Sequence, residues 1–189
     1  TLLNNDYWLP AATLTWEIAD SLQARFNASK TIARPQFREL ILQTYYDPES
    51  NRQFTGNPGL VDSELTNYEA RVEYYWGSGS KFSLAGFYKD IENPIEVFSS
   101  FNDNTVVSRF ANAPQADLYG AEVEVQWNKD LYTLGDWWDS KRFVAIANYT
   151  YTQSDISVQA GDQVNVPELG GLQSASNFFE DGTALTGQS

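Results

Sequence analysis

The sequence predicts an all-β protein made of antiparallel strands from a transmembrane β-barrel. Three observations carry that prediction: apolar and polar residues alternate, aromatic residues mark both ends of the apolar sides, and connections are short and long in turn. The alternation is clearest in two stretches. Tyr68, Ala70, Val72, Tyr74 and Trp76 interleave with Glu69, Arg71 and Glu73, and Tyr119, Ala121, Val123, Val125 and Trp127 interleave with Glu122, Glu124 and Gln126. A period of two sends each set to its own face of a strand. In both stretches one aromatic residue opens the apolar side and another closes it about eight residues later. At ~3.3 Å per residue this spans roughly 20 to 26 Å, depending on tilt, which is the height of the apolar band on a membrane-spanning barrel strand.

Taken in order, the same pattern defines six strands. Leu14, Trp16 and Ile18 alternate with Thr13, Thr15 and Glu17, giving a strand over 12–18. After the turn Ala19-Asp20-Ser21 the pattern resumes as Leu22, Ala24, Phe26 and Ala28 against Gln23, Arg25, Asn27 and Ser29, a strand over 22–33 and a tight hairpin. The third strand covers 66–76. Beyond Gly77-Ser78-Gly79-Ser80, Phe82, Leu84, Gly86 and Tyr88 mark the fourth at 81–91. The fifth runs over 117–127, and Phe143, Ala145, Ala147, Tyr149 and Tyr151 mark the sixth at 142–154. The strands 12–18 and 22–33, 66–76 and 81–91, and 117–127 and 142–154 are expected to pair antiparallel through their short links. The register around Gly77-Ser78-Gly79-Ser80 is open, with either Phe87 or Lys89 opposite Glu69.

Links at 19–21, 77–80 and 128–141 are short or moderate, whereas 34–65, 92–116 and the stretch from 155 onward are long. Outer-membrane barrels have short periplasmic turns and long extracellular loops. Strands one, three and five are therefore expected to run toward the periplasm. Trp16, Trp76, Phe82, Trp127 and Phe143 then fall at the periplasmic rim, and Tyr68, Tyr88, Tyr119 and Tyr149 at the opposite one. By the same parity Leu14, Trp16, Val72, Tyr74, Leu84, Val123, Val125 and Ala147 point to lipid, with Glu17, Arg25, Arg71, Glu73, Glu122 and Glu124 inward.

Composition bounds the alternatives. The 189 residues are 42% hydrophobic and 15% aromatic, carry a net charge of −13, and include no Cys, His or Met. A mean hydropathy of −0.44 without an apolar run of ~18 residues excludes a membrane-spanning helix, though not a barrel. With neither an initiator nor a signal peptide, the chain reads as a fragment of a larger exported polypeptide. The acidic balance excludes nucleic acid as a partner. It suits either a solvated surface or divalent cations bridging lipopolysaccharide. Without His or Cys there is no Ser-His-Asp relay, thiol nucleophile, or His or thiolate metal site, and neither cofactor nor enzymatic activity is expected. Glu122 and Glu124 share a strand face at glycosidase-like spacing, but any acidic strand face shows that spacing.

A resemblance adds to this reading. Leu9-Pro-Ala-Ala-Thr-Leu-Thr-Trp16, Ala28-Ser-Lys-Thr-Ile-Ala-Arg-Pro-Gln-Phe-Arg-Glu-Leu40, Gly56-Asn-Pro-Gly-Leu60, Gly86-Phe-Tyr-Lys-Asp-Ile-Glu-Asn-Pro-Ile95, Leu118-Tyr-Gly-Ala-Glu-Val-Glu-Val125 and Ala147-Asn-Tyr-Thr-Tyr151 occur in that order. Together they resemble the β-barrel part of TonB-dependent outer-membrane receptors, and Leu185-Thr-Gly-Gln-Ser189 resembles the approach to that family's next strand. The resemblance implies a 22-stranded barrel in the outer membrane of a Gram-negative bacterium, closed inside by an N-terminal plug. Residues 1–189 then form about six strands of the barrel domain, without the plug, its TonB-contacting segment or the final strands. Its partners are the lipid bilayer and lipopolysaccharide, TonB through the plug, and a small-molecule substrate that is carbohydrate or siderophore-like. The run Ser29 to Phe37 resembles a subgroup often linked to carbohydrate uptake.

Two groups of residues are candidates for function. Glu69, Arg71, Glu73, Lys89, Glu122 and Glu124 face the predicted lumen, either as an ion or sugar path or as cross-strand charge pairs and plug contacts. Tyr45, Tyr46, Phe54, Phe98 and Phe101 lie on predicted extracellular loops, where they stack on a solute or simply pack the loops. Trp137 and Trp138 suit membrane-interface anchoring. Energised import of a scarce solute is the leading function. A passive porin and a soluble β-sandwich carbohydrate-binding module are the alternatives.

Overall fold

A computed structural model describes residues 5–49, 51–77, 79–102 and 105–186. All six expected strands form, each within a few residues of its expected ends: β1 (Ala11–Ala19), β2 (Leu22–Ala33), β5 (Ser63–Trp76), β6 (Ser80–Glu92), β9 (Gln115–Asp130) and β10 (Arg142–Ser157). The numbers between belong to strands that the sequence did not predict: β3 (Thr44–Asp47), β4 (Arg52–Thr55), β7 (Ile95–Asn102), β8 (Thr105–Asn112), β11 (Gln163–Val166) and β12 (Gly171–Ser174).

The six long strands make one antiparallel sheet in the order β1-β2-β5-β6-β9-β10. All three expected hairpin pairings hold, and the pairs β2–β5 and β6–β9 close across the long links. The open register resolves with Phe87 opposite Glu69. Gly77 and Gly79, at φ of 55° and 91°, supply the left-handed backbone of the β5–β6 turn. The sheet does not close on itself among the described residues, and β1 and β10 are its outer strands.

Side chains on the sheet follow the expected parity. Leu14, Phe26, Ala70, Gly86 and Ala121 share one cross-strand row, and Trp16, Ala24, Val72, Leu84, Val123 and Tyr149 share the next on the same face. Trp16 and Tyr149 were expected at opposite rims, yet they lie in one row. The tilt general to barrel strands would reconcile the two placements. At the ~35–45° tilt of barrel strands ~4.8 Å apart, each step across the sheet changes height by about 3 Å, so five steps separate these residues by about 15 Å.

On the opposite face Gly120 sits beneath the Phe87 ring. A Cβ at this position would lie 2.6 Å from Phe87 Cζ and 2.2 Å from the Tyr151 carbonyl oxygen. The ring can move, but the carbonyl belongs to the neighbouring strand and cannot.

The long connections are ordered, unlike the plain loops the sequence led us to expect. They assemble a second, four-stranded sheet in the order β3-β4-β8-β7, with β4 and β8 parallel. The β11–β12 hairpin packs beside it. The hydrophobic core lies here, where Phe98, Ala111, Ala113, Ala116, Ile156, Val164, Val166, Ala175 and Phe179 are all buried. Polar contacts of Asn57, Arg109 and Glu96 tie the connections into one cap. Asn57 Nδ2 donates to the Phe110 carbonyl at 3.1 Å and the Asn165 carbonyl at 2.7 Å, while its Oδ1 accepts from the Gly59 N–H at 2.8 Å. Arg109 pairs with Glu168, and buried Glu96 accepts from the Thr186 N–H at 2.9 Å.

Two outcomes follow. Gly120→Ala should destabilise the sheet by about 1 to 3 kcal/mol, read as a lower denaturant midpoint in lipid vesicles, and adding Phe87→Ala should not restore it because the Tyr151 carbonyl stays in place. Asn57→Ala leaves the buried Phe110 carbonyl without its donor, a loss of about 2 kcal/mol. Hydrogen exchange at the amides of β8 and β11 should then accelerate by about thirtyfold, with exchange in β5 and β6 unchanged.

Candidate functional site

The face opposite the apolar rows carries the charges that the sequence singled out. Glu69, Arg71, Glu73, Lys89, Glu122 and Glu124 all have the same parity in the ladder. Arg71 bridges two strands, with Nε 3.1 Å from Glu69 and a terminal nitrogen 3.3 Å from Glu122. Lys81 Nζ lies 3.0 Å from Glu124, and Ser83 Oγ is 3.5 Å from the same oxygen. Glu73 is the most enclosed of the set, only 5% exposed, where Gln23 Nε2 donates to it at 2.9 Å and Arg25 Nε lies 3.5 Å away. Apart from Arg71–Glu69, which runs along β5, these contacts join different strands of the sheet. Lys81 was not singled out, although its parity with Ser83 and Lys89 in the fourth strand already placed it on this face.

No charged side chain interrupts the apolar face between Tyr119 and Trp127 on β9, between Tyr68 and Trp76 on β5, or between Phe82 and Tyr88 on β6. Tyr68, Tyr88 and Tyr119 form a single row across three strands. The outer neighbours of Tyr88 and Tyr119 on this face are acidic: the Tyr88 hydroxyl donates to Asp117, and the Tyr119 hydroxyl donates to Asp155 at 3.4 Å. These two rings therefore lie in the apolar band with their hydroxyls at the polar edge, the arrangement of a membrane-interface aromatic. At the other end Trp127 and Phe143 meet edge to face at 5.7 Å, and Tyr74 stacks on Trp76 at 5.8 Å.

The aromatic residues expected on extracellular loops separate into different environments. Tyr45, Phe54 and Phe110 form a stacked ladder on one face of the second sheet, with ring centroids 5.9 and 5.8 Å apart. Burial pushes the Tyr45 phenol up, against an opposing pull from Arg38. Tyr46 is exposed and points to the other face, where its hydroxyl donates to Asn51. Phe98 is 6% exposed and packs on Phe178 and Phe179. The Phe101 side chain lies outside the described residues, although its backbone pairs with Val106. No cluster of three or more Asp, Glu, His or Cys suited to a metal occurs among the described residues.

Comparison with known proteins agrees with this geometry. Residues 2–179 match the family model described as TonB dependent receptor-like, beta-barrel. No curated protein matches the sequence. The fold is similar to that of the siderophore receptor PirA from Pseudomonas aeruginosa, with a TM-score of 0.54 and 16% identity over 83% of this chain and 28% of that one. It is also similar to a mutant of the ferric enterobactin receptor PfeA from the same organism, with a TM-score of 0.52 and 16% identity over 84% of this chain and 26% of that one. The chain thus spans little more than a quarter of either receptor. A family match along nearly the whole sequence, joined to an antiparallel sheet with one uninterrupted apolar face, shows that the chain belongs to the TonB-dependent receptor family as part of its β-barrel.

Proposed function

We propose that the protein containing this chain imports a scarce solute, carbohydrate or siderophore-like, across the outer membrane with energy delivered through TonB. The carrying observation is the family match over 2–179, which the banded sheet supports independently. On this reading the polar face bearing Glu69, Arg71, Glu73, Glu122 and Glu124 lines the lumen, and its fixed carboxylates and cations meet the plug. The second sheet stands at the extracellular mouth. There the Tyr45–Phe54–Phe110 ladder offers a rigid aromatic face at which a sugar ring or an aromatic chelator can stack, with Tyr45 as its outermost ring. Rings already held by packing lose little freedom on binding, so contact energy is retained as affinity.

Removing the whole 36–64 segment would test little, because Asn57 lies within it and the cap would come apart. Tyr45→Ala is the sharper change. It should weaken solute binding to outer-membrane vesicles by about two- to tenfold, the ratio that ~0.5 to 1.5 kcal/mol of aromatic stacking gives. Loss of TonB from cells should abolish uptake and leave binding intact. Uptake that persists without TonB would instead identify passive diffusion through a porin.

A further inference from the structure

The connection between β9 and β10 is long for a link at this end of the sheet, and it does not hang free. It forms two 3₁₀ turns, Tyr132–Leu134 and Asp136–Trp138, and folds back against the apolar face of the sheet. Leu131, Leu134 and Trp138 of the link enclose a slot of about 450 Å³ with Trp127, Phe143 and Lys129 of the strands. Phe143 and Lys129 are direct ladder partners, so the ammonium group sits at the edge of the slot just beyond the last aromatic residues of the band.

Neighbouring cations are already engaged. Lys141 Nζ lies 3.0 Å from the centre of the Trp137 ring and donates to the Trp137 carbonyl, and Arg142 Nε lies 2.6 Å from Asp130. Lys129 is exposed, and no ion-pair partner for it occurs among the described residues. Trp137, Leu134 and Tyr132 of the same link expose 69%, 62% and 62% of their surfaces.

We propose that this slot binds one phospholipid of the inner leaflet, an acyl chain lying between Trp127, Phe143, Leu134 and Trp138 with the phosphate on Lys129. The assignment rests on the outer-membrane reading, in which the short links face the periplasm. The slot opens on the same face as the apolar band, so the bilayer is what meets it. Its single unpaired cation sits where a headgroup would lie, and its walls are apolar where a chain would lie. A soluble solute on its way through the barrel would meet the opposite face.

The test uses the full-length receptor in mild detergent with palmitoyl-oleoyl-phosphatidylglycerol as probe and native mass spectrometry as readout. Wild type should retain one lipid after the annular lipids are stripped. Lys129→Gln should lower its retention by about fivefold, the ratio that ~1 kcal/mol per interfacial cation gives, and Lys129→Arg should keep it. Leu134→Trp should fill the slot and displace the lipid. Equal retention in wild type and Lys129→Gln, or displacement of the lipid by inorganic phosphate without loss in Leu134→Trp, would overturn the proposal. Insertion into liposomes with heat-modifiable migration is scored in parallel. A wild-type receptor that fails to insert refutes the membrane reading itself, whereas normal insertion with lipid retention indifferent to Lys129 refutes the slot alone.

Discussion

Register in the six-stranded sheet is the constraint on which the rest of the structure depends. Because strand side chains alternate with a period of two, a slip of one residue between β5 and β6 would exchange the faces of every residue beyond it. Glu122 and Glu124 of β9 would then enter the apolar face that β5 presents, and charge in such a band is costly, about 2 to 4 kcal/mol for an Arg or Lys at mid-height. The correct register instead stacks Tyr68, Tyr88 and Tyr119 in a row, brings Arg71 between Glu69 and Glu122, and seats Phe87 over Gly120. Individual ion pairs on such a face are each worth ~1 kcal/mol or less, so they are consequences of the register more than its cause.

Two kinds of solvation coexist in the chain. The long sheet has no core of its own: Leu14, Trp16, Tyr149 and other large side chains stand exposed on one face, and β1 and β10 present unpaired edges among the described residues. In water such a surface would drive association, whereas a bilayer would cover the apolar face and the barrel of the family would pair the edges. The cap obeys the rules of a water-soluble domain. It buries Phe98, Ile156, Val164 and Phe179 in a common core and satisfies buried polar groups such as Asn57 and Glu96 with specific partners.

Tilt links the two ends of the sheet to the membrane. At the ~35–45° tilt general to barrel strands, the row of the ladder from Trp16 to Tyr149 would cross the apolar band obliquely, so that residues at different heights share one row. The girdles are therefore properties of height and not of rows. Acidic residues stand beyond the upper tyrosines and Lys129 beyond the lower aromatics, which bounds the band chemically at both ends.

The sequence by itself determined the six long strands, their parity and their hairpin pairing, because each strand must meet the bilayer's demand locally: an apolar residue every second position and an aromatic residue at each end. Asn67 to Trp76 is readable without knowing any neighbour. Only the tertiary structure decided the rest, since the responsible contacts are distant in the chain. β3, β4, β11 and β12 are four-residue strands whose existence depends on partners such as the parallel β8, and Asn57 reaches Phe110 from 53 residues away. Phe98 has the same local character as Tyr46, yet core packing encloses one ring and leaves the other exposed. Trp138 was legible as an interfacial residue, but its position against the apolar face of β9 and β10 comes from the backward fold of its connection, where Leu131, Leu134 and Trp138 together cover apolar surface that no single strand pattern reveals.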